Sequence, residues 1–309
     1  MTSSDPTPSL HDFAPLWDEL GRQSFPVGAL YVVATPIGNV ADISLRAIRV
    51  LSLVDAVGCE DTRNTRQLMA RLGLSTPLFS AHQHNERETA QKVLSRLQAG
   101  ERIALVSDAG TPAVSDPGAL IVDAVLDAGF PVISIPGASA AIAALSVSGL
   151  DTSRFQFIGF LPSKSAQREQ LLADLASSTA CLIFYEAPHR IHDTALALLH
   201  AFGPDRRIVI AREISKLFEQ IHRCRLAEAE DWLSADVNRQ RGEFVVIVEG
   251  ARRADDPASS EARRVLDVLL AELPVSQAAA LAAKITGMKK NALYQLALDT
   301  PPKNTPQAE

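Results

Sequence analysis

The sequence predicts an α/β protein made of two unlike halves and a small helical tail. Three observations carry this. From Leu30 onward, apolar runs of four to six residues alternate with segments of 3.6-residue period, the mark of a largely parallel sheet covered by helices. After Pro136-Gly137 the pattern changes, and strand candidates follow one another without an intervening helix, which implies an antiparallel component and an α+β second half. The length of 309 residues exceeds what one ordinary core organises.

In chain order, residues 1–28 are rich in Ser, Pro and Thr and are expected as a loose extension, with one weakly amphipathic piece at Phe13–Leu20. Leu30–Ala34 is the first strand, and Asp42–Val54 the helix after it with Asp42 as N-cap. Ala56–Cys59 is a strand, Thr62–Leu72 a helix stopped by Gly73, and Leu78–Ala81 a strand. Glu86–Ala99 is a helix, Arg102–Ser107 a buried strand, Ala119–Ala128 a helix and Val132–Ile135 the last strand of this half. The Ala-rich helix Ser139–Ser148 opens the second half (138–251), with strands at Phe155–Phe160, Cys181–Glu186, Ile208–Glu213, Glu219–Arg225 and Phe244–Val248. Its helices are Ala166–Ala176, His189–Ala201 and Ala227–Leu233. A charged linker, 252–260, leads to a tail (261–300) in which Val275–Ile285, Gly287 and Lys289–Leu298 form a helix, turn and helix.

Apolar residues make up 47% of the chain and charged residues 21%, which excludes a disordered, solvating polypeptide. Lys+Arg 30 against Asp+Glu 36 gives a net charge of −6, a balance that counts against a protein coating nucleic acid along its whole surface. Cys59, Cys181 and Cys224 are far apart, so neither a disulfide framework nor a thiolate metal site is expected, and a cytoplasmic setting fits. No basic segment leads into an apolar run at the N-terminus and no membrane-length apolar stretch occurs, so no membrane partner is expected.

No G-x-G-x-x-G follows the first strand, and neither a P-loop nor a G-x-S-x-G elbow is present. His82 with His84, and His189 with His192, share faces but lack a third ligand at metal spacing, so no metal is expected. The informative segment is Asp108–Gly118, directly after an apolar strand, where the carboxyl ends of parallel strands form ligand crevices. Gly110 permits close backbone approach, Thr111 and Ser115 offer hydroxyls, and Asp108 accepts from an ammonium or a ribose hydroxyl. The same residues also suit a capped turn with no ligand. Ala34–Asn39 and Glu60–Arg66 end the first two strands on the same edge, and Glu60-Asp61 beside Arg63 and Arg66 is either a chemical pair or a helix cap with surface ion pairs. Pro136–Ser139 starts a helix either close to a ligand or tightly packed at the junction.

The ordered set A-T-P-I-G-N (34–39), E-D-T-R (60–63), S-D-A-G-T-P…S-D-P-G (107–118), P-G-A-S-A (136–140), G-F-L-P-S-K (159–164), F-Y-E-A-P-H-R (184–190) and R-G-E-F (241–244) resembles the tetrapyrrole-methylase-like, or class III, S-adenosylmethionine (SAM) methyltransferases. Within them the chain is most similar to the branch that methylates the ribose 2′-oxygen of a cytidine in 16S rRNA, and K-K-N-A-L-Y-Q-L-A-L (289–298) extends the likeness. The resemblance implies a two-domain fold with SAM in a cleft between the halves, a homodimer, and 16S rRNA or the small ribosomal subunit as partner. Carried over by position, Pro36 lines the cleft, Ala109, Gly110 and Thr111 cradle the methionine part, Val114 and Ser139 complete that wall, and Tyr185, Glu186 and Phe244 stand near the adenosine, with Asp108 counted among the cofactor-binding residues as an acceptor.

A ribose hydroxyl attacks poorly until its proton leaves, so a carboxylate or basic group is needed beside it. Asp108, Glu60 and Asp61 are the candidates, with His84 a fourth. Arg63, Arg66, Lys164, Arg190 and Arg212 are the candidate RNA contacts; each also suits a solvated face. The chain departs from the porphyrin-building branch, which has G-x-G-P-G-D where this one has A-T-P-I-G-N, G-G-D-P where it has A-G-T-P, and often Met where it has Glu186. A tetrapyrrole carbon as acceptor, and a non-catalytic SAM- or nucleotide-binding module docked on ribosomes, are the competing readings.

Overall fold

In the computed structural model the described residues are 14–83, 85–251 and 257–298. They form two compact units: the first runs to Glu249 apart from Ser177–Thr179, and the second joins that tripeptide to the chain from Gly250. The first unit contains both expected sheets.

Its elements begin with α1 (Ala14–Gly21), β1 (Leu30–Val33), α2 (Leu45–Leu53), β2 (Ala56–Cys59), α3 (Thr62–Arg71) and β3 (Leu78–Ser80). They continue with α4 (Glu86–Gln98), β4 (Ile103–Val106), α5 (Ala119–Asp127), β5 (Val132–Ile135) and α6 (Ala140–Ser146). The expected loose extension is partly corrected. Residues 14–21 are helical with Leu20 buried, and the following turn is tied down where Tyr31 donates its hydroxyl to the Pro26 carbonyl (2.7 Å) and Arg102 Nε donates to the Phe25 carbonyl (2.9 Å). The expected cap Asp42 is also corrected. It closes a single 3-10 turn, and Ser44 caps α2 by accepting the Ala47 N–H at 3.1 Å.

The first sheet has the order β3-β2-β4-β1-β5, and all its pairs are parallel. Its central strands are buried on both faces, one core gathering Tyr31, Val33, Val57 and Val106 and the other Leu30, Ala56, Ile103 and Leu105. Full burial explains why these strands are continuous apolar runs. The order matters for the site: β1 lies between β4 and β5, so the loops leaving three adjacent strands emerge together, while β2 delivers its loop on the far side of β4.

The second sheet is built from β6 (Phe155–Phe160), with α7 (Ser165–Leu175) leading to β7 (Cys181–Glu186), then α8 (Ile191–Phe202), β8 (Arg207–Arg212), β9 (Gln220–Arg225), α9 (Leu226–Ser234) and β10 (Phe244–Val248). Its order is β6-β7-β10-β8-β9; only β6 and β7 are parallel. Side chains alternate between two cores. Leu182, Phe184, Ile208, Ile210, Val246 and Val248 pack with the helices α7–α9, and Ile183, Val209, Ala211, Val245 and Ile247 pack with the alanines of α6. The register sets Phe244 opposite Glu186 and Val245 opposite Tyr185, which brings two distant motifs to one sheet edge.

In the second unit α10 (Pro257–Leu270), α11 (Val275–Thr286) and α12 (Lys290–Leu298) share a core of Ala262, Leu266, Ala278, Ala279, Ala282 and Leu293. Gly287, left-handed at φ 74°, caps α11 and turns the chain toward α12. The linker expected at 252–260 is corrected at its end, since Pro257–Ser260 belong to α10; residues 252–256 lie outside the described residues.

One buried acid fixes the entry to α5. Glu86 Oε1 accepts the backbone N–H of Gly118 (2.8 Å) and of Leu120 (2.9 Å), the role an N-cap side chain plays elsewhere. Replacing Glu86 by Ala strands those donors and is expected to cost about 1–3 kcal/mol, with Glu86→Gln costing less; urea midpoints for the three proteins measure it, and an unchanged midpoint in the alanine variant is incompatible with the cap.

Candidate active site

A cavity of about 400 Å³ is walled on one side by loops from the first sheet and on the other by the second sheet. Ile37 comes from the loop after β1, Ala109–Thr111 and Val114–Asp116 from the loop after β4, and Ser139 and Ala140 from the start of α6. Phe160, Tyr185, Glu186 and Phe244, with Ile214 and Glu243, close the other side. Of the residues expected at a cofactor, Ala109, Gly110, Thr111, Val114, Ser139, Tyr185, Glu186 and Phe244 line this cavity. Pro36 and Asp108 do not.

Backbone geometry shapes the wall. Thr35 and Gly110 exchange both backbone hydrogen bonds (2.8 and 3.1 Å), which holds the loop after β4 against the end of β1 and places Gly110 at φ +79°. The Gly110 N–H is therefore spent on Thr35, and only the lining role expected of that residue survives. Farther on, Ala113 (φ 66°) and Ser115 (φ 62°) adopt left-handed conformations that cost a non-glycine residue about 1–2 kcal/mol. Such strain concentrates at ligand sites. Glu213 (φ 51°) and Ser215 (φ 68°) repeat it in the segment bearing Ile214. That segment straps the two halves together: Ser215 donates to Asp42, and the Lys216 stem lies over Gly38. Inside the cavity the Tyr185 oxygen accepts the Ala141 N–H (3.3 Å) and bonds the Ser139 hydroxyl, and burial pushes the phenol up.

The carboxylates fall into distinct environments. Asp61 caps α3 and holds Arg63 (2.6 Å), whose side-chain and backbone donors lower its carboxyl to about 2. So acidic a group is a poor proton acceptor, and it stands outside the cavity lining, which corrects its candidacy as the base. Asp108 also stands outside it: one oxygen accepts the Asp61 N–H (3.1 Å) and the other the Asn64 amide (2.7 Å), stapling the loops after β2 and β4. Glu60 is pushed up by burial and by the charges of Asp108 and Asp116, yet it leaves β2 on the far side of β4 and does not line the cavity. Glu186 does line it, although its carboxylate is consumed by the Ala187 N–H (2.8 Å), the Thr194 hydroxyl (2.6 Å) and Arg190 (3.4 Å). Sequence reasoning missed Asp116, which lines the cavity within the very S-D-P-G it quoted. His84 lies outside the described residues.

Two expected RNA contacts are corrected. Arg212 is buried, its guanidinium donating to the carbonyls of Arg241 (2.6 Å) and Phe218 (3.1 Å). Arg190 donates to the Leu161 carbonyl (2.6 Å) while pairing with Glu186. Both are internal staples. Arg63, Arg66 and Lys164 are exposed, Arg63 held by Asp61. Among the described residues no group of three or more His, Cys, Asp or Glu is arranged to hold a metal, and no helix is long and apolar enough to cross a membrane.

Residues 29–230 match the model of the tetrapyrrole (corrin/porphyrin) methylases. The chain belongs to that family. Residues 256–300 match the model described as the RsmI C-terminal HTH domain. Among curated proteins, the chain is 52% identical over 273 residues to "Ribosomal RNA small subunit methyltransferase I" of Pseudomonas aeruginosa, covering 88% of this chain and 97% of the relative. It is 47% identical to the protein of the same name from Escherichia coli O157:H7, over 88% and 95% of the two chains. Solved structures share the methylase fold at low identity. A cobalt precorrin-4 methyltransferase superposes with a TM-score of 0.55 at 18% identity, covering 74% of this chain and 98% of its own. A uroporphyrin-III C-methyltransferase of Thermus thermophilus, complexed with S-adenyl homocysteine, does so at 0.52 and 20%, covering 72% and 97%.

The halves also approach closely at Gly159, where φ is +77° and an added Cβ would lie 2.9 Å from Ser115 Oγ. Gly159→Ala is expected to cost about 1–3 kcal/mol and to loosen the wall built on Ser115, observed as a lower melting temperature with faster amide exchange across 113–116.

Proposed function

We propose that the protein transfers the methyl group of SAM to the ribose 2′-oxygen of a cytidine in the 16S rRNA of the small ribosomal subunit. The observation that carries this reading is 52% identity, across 97% of its length, to a curated protein named for small-subunit rRNA methylation. The site's chemistry agrees with it. A volume of about 400 Å³ suits one cofactor-sized molecule. Ile37, Val114, Ile214 and Phe244 offer apolar surface for adenosine, and the Thr111 and Ser139 hydroxyls offer acceptors for the amino-acid end. A carboxylate lining, with Asp108 and Glu60 behind it, favours a ligand that carries positive charge.

When bound, SAM supplies an activated methyl group on a sulfonium. The protein's task is then to orient, to exclude water and to receive a proton. The Thr35–Gly110 bridge fixes one wall, and the Ser215–Asp42 bond ties the segment bearing Ile214 to the first half, so part of the orientation comes from the fold. We place the enzyme in the cytoplasm, the setting its scattered cysteines fit, as the homodimer its resemblance implies. The tetrapyrrole alternative rests on likeness near 20% identity, which speaks to the fold alone.

The test is labelled methyl transfer from SAM to purified small subunits, naked 16S rRNA and a porphyrin precursor, followed by alkaline hydrolysis of the RNA. Label in RNA with one cleavage product missing, the signature of a 2′-O-methyl group, is the expected result. Label in the porphyrin would replace the reading with the tetrapyrrole one, and SAM binding without transfer would replace it with the non-catalytic module.

Arginines and lysines should sort by burial. Arg66→Ala and Lys164→Ala are each expected to weaken subunit binding and to reduce the salt slope by about one, whereas Arg190→Ala and Arg212→Ala should lower the melting temperature by several degrees through stranded carbonyls and an unpaired Glu186. Filter binding across a salt series, beside thermal melts, separates the two groups; a slope unmoved by Arg66→Ala and Lys164→Ala together would put the RNA on another face.

A further inference from the structure

We propose that Asp116 is the catalytic residue that takes the proton from the attacking hydroxyl, an assignment that deepens the methyl-transfer reading above and rests on it. Three carboxylates line the cavity. Glu186 has both oxygens engaged by protein donors, and Glu243 is paired with Lys216 at 2.9 Å on an exposed rim. Among the described residues Asp116 faces no cation: the groups acting on it are the Ser107 hydroxyl and the like charge of Asp108, and its own charge is felt by Glu60 and by Tyr185. It is carried by a loop whose neighbours Ala113 and Ser115 are left-handed, so its position is built at a cost in backbone strain.

Ser107 lets that site hold either protonation state. It is buried, with the carbonyls of Ala109 (3.1 Å) and Gly110 (3.3 Å) within reach of its hydroxyl. When Asp116 is ionised, Ser107 can donate to it. Once Asp116 has gained a proton, its own O–H can donate to Ser107 Oγ, and the serine hydrogen turns to either carbonyl. The balance is simple: the substrate O–H bond breaks and its proton joins the Asp116 carboxylate, the oxygen pair forms the new O–C bond, and the C–S pair of the sulfonium donor stays on sulfur. Burial and the Asp108 charge push Asp116 up from the ordinary aspartate value, which makes it a better proton acceptor than Asp61, held at about 2.

The experiment compares wild type, Asp116→Asn and Asp108→Asn for methyl transfer to small subunits across pH, with binding of S-adenosylhomocysteine measured alongside. Asp116→Asn should lose about 100-fold or more in kcat while binding S-adenosylhomocysteine within a few-fold of wild type. Asp108→Asn, whatever it loses in rate with its bonds to Asp61 and Asn64, should move the acidic limb of the profile to lower pH, since a like charge beside Asp116 is gone. A second readout needs no substrate. A carboxyl whose folded value is raised favours folding below its unfolded value of 3.8 and loses that contribution as pH rises through the folded value. The ligand-free Asp116→Asn protein should therefore melt higher than wild type at pH 7, with the gap closing toward pH 4. Undiminished turnover in Asp116→Asn, or an unmoved limb in Asp108→Asn, overturns the assignment while leaving methyl transfer intact. A wild type inactive on every form of the RNA overturns the function itself, and the proton acceptor with it.

Discussion

The site depends on two backbone hydrogen bonds. Thr35 and Gly110 pair as a single antiparallel bridge beyond the carboxyl ends of β1 and β4, two strands that are parallel to each other. To pair in that sense, the chain leaving β4 must reverse, and Gly110 at φ +79° is where it does so. Thr35 is buried and also reaches the Ser107 carbonyl with its hydroxyl (3.1 Å), so the reversal is locked from beneath. Thr111 and Val114–Asp116 then reach the cavity wall before the chain returns at Gly118 to Leu105 and the Glu86 cap. The polar wall, the strained Ala113 and Ser115, and the contact with Gly159 all follow from this one reversal.

Chemically identical side chains acquire different duties around it because each meets different partners. Asp61 is a helix cap, Asp108 a staple between loops, Glu86 a buried cap for α5, and Glu186 the end of a network through Thr194 and Arg190. Each of these carboxylates has its oxygens engaged by protein donors, which suits a structural role, and at Asp61 those donors also hold the carboxyl down at about 2. Among the described residues, Asp116 is set apart by having Ser107 as its one such donor. In a site made of acids, the scarce commodity is an acid whose lone pairs are unspent.

Much of the fold was legible because burial leaves a direct imprint on sequence. Ala56–Cys59, Cys181–Glu186 and Phe244–Val248 are apolar runs, and the buried strands occupy those same spans. Caps were less legible: Asp42 and Ser44 are equally good capping types, and only the 3-10 turn at 40–42 decides between them. Helix α10 escaped notice because its start lies in a charged, Ser-rich stretch. At the site, Gly- and Pro-bearing loops after consecutive strands pointed to the right wall, but sequence reports a charge without reporting what covers it. Arg190 and Arg212 resemble any surface arginine until the carbonyls that hold them are seen. The left-handed Glu213 and Ser215 leave no trace in residue type at all, so the strap across Gly38 could only be found in three dimensions.

The acidity of the cavity bears on how a polyanion would approach it. Asp116, Glu60, Asp108 and Asp61 together favour a cationic ligand and repel phosphates, so the charge that helps hold a sulfonium hinders RNA at close range. With Arg190 and Arg212 committed to the interior, a phosphate grip under the proposed function falls to exposed cations of the first unit such as Lys164. On that reading the backbone would be held at a distance while one ribose enters the cavity. It also gives the net charge of −6 a purpose, because an acidic body discourages RNA that does not align with its few basic contacts. Selectivity then arises from where the cations are absent as much as from where they stand.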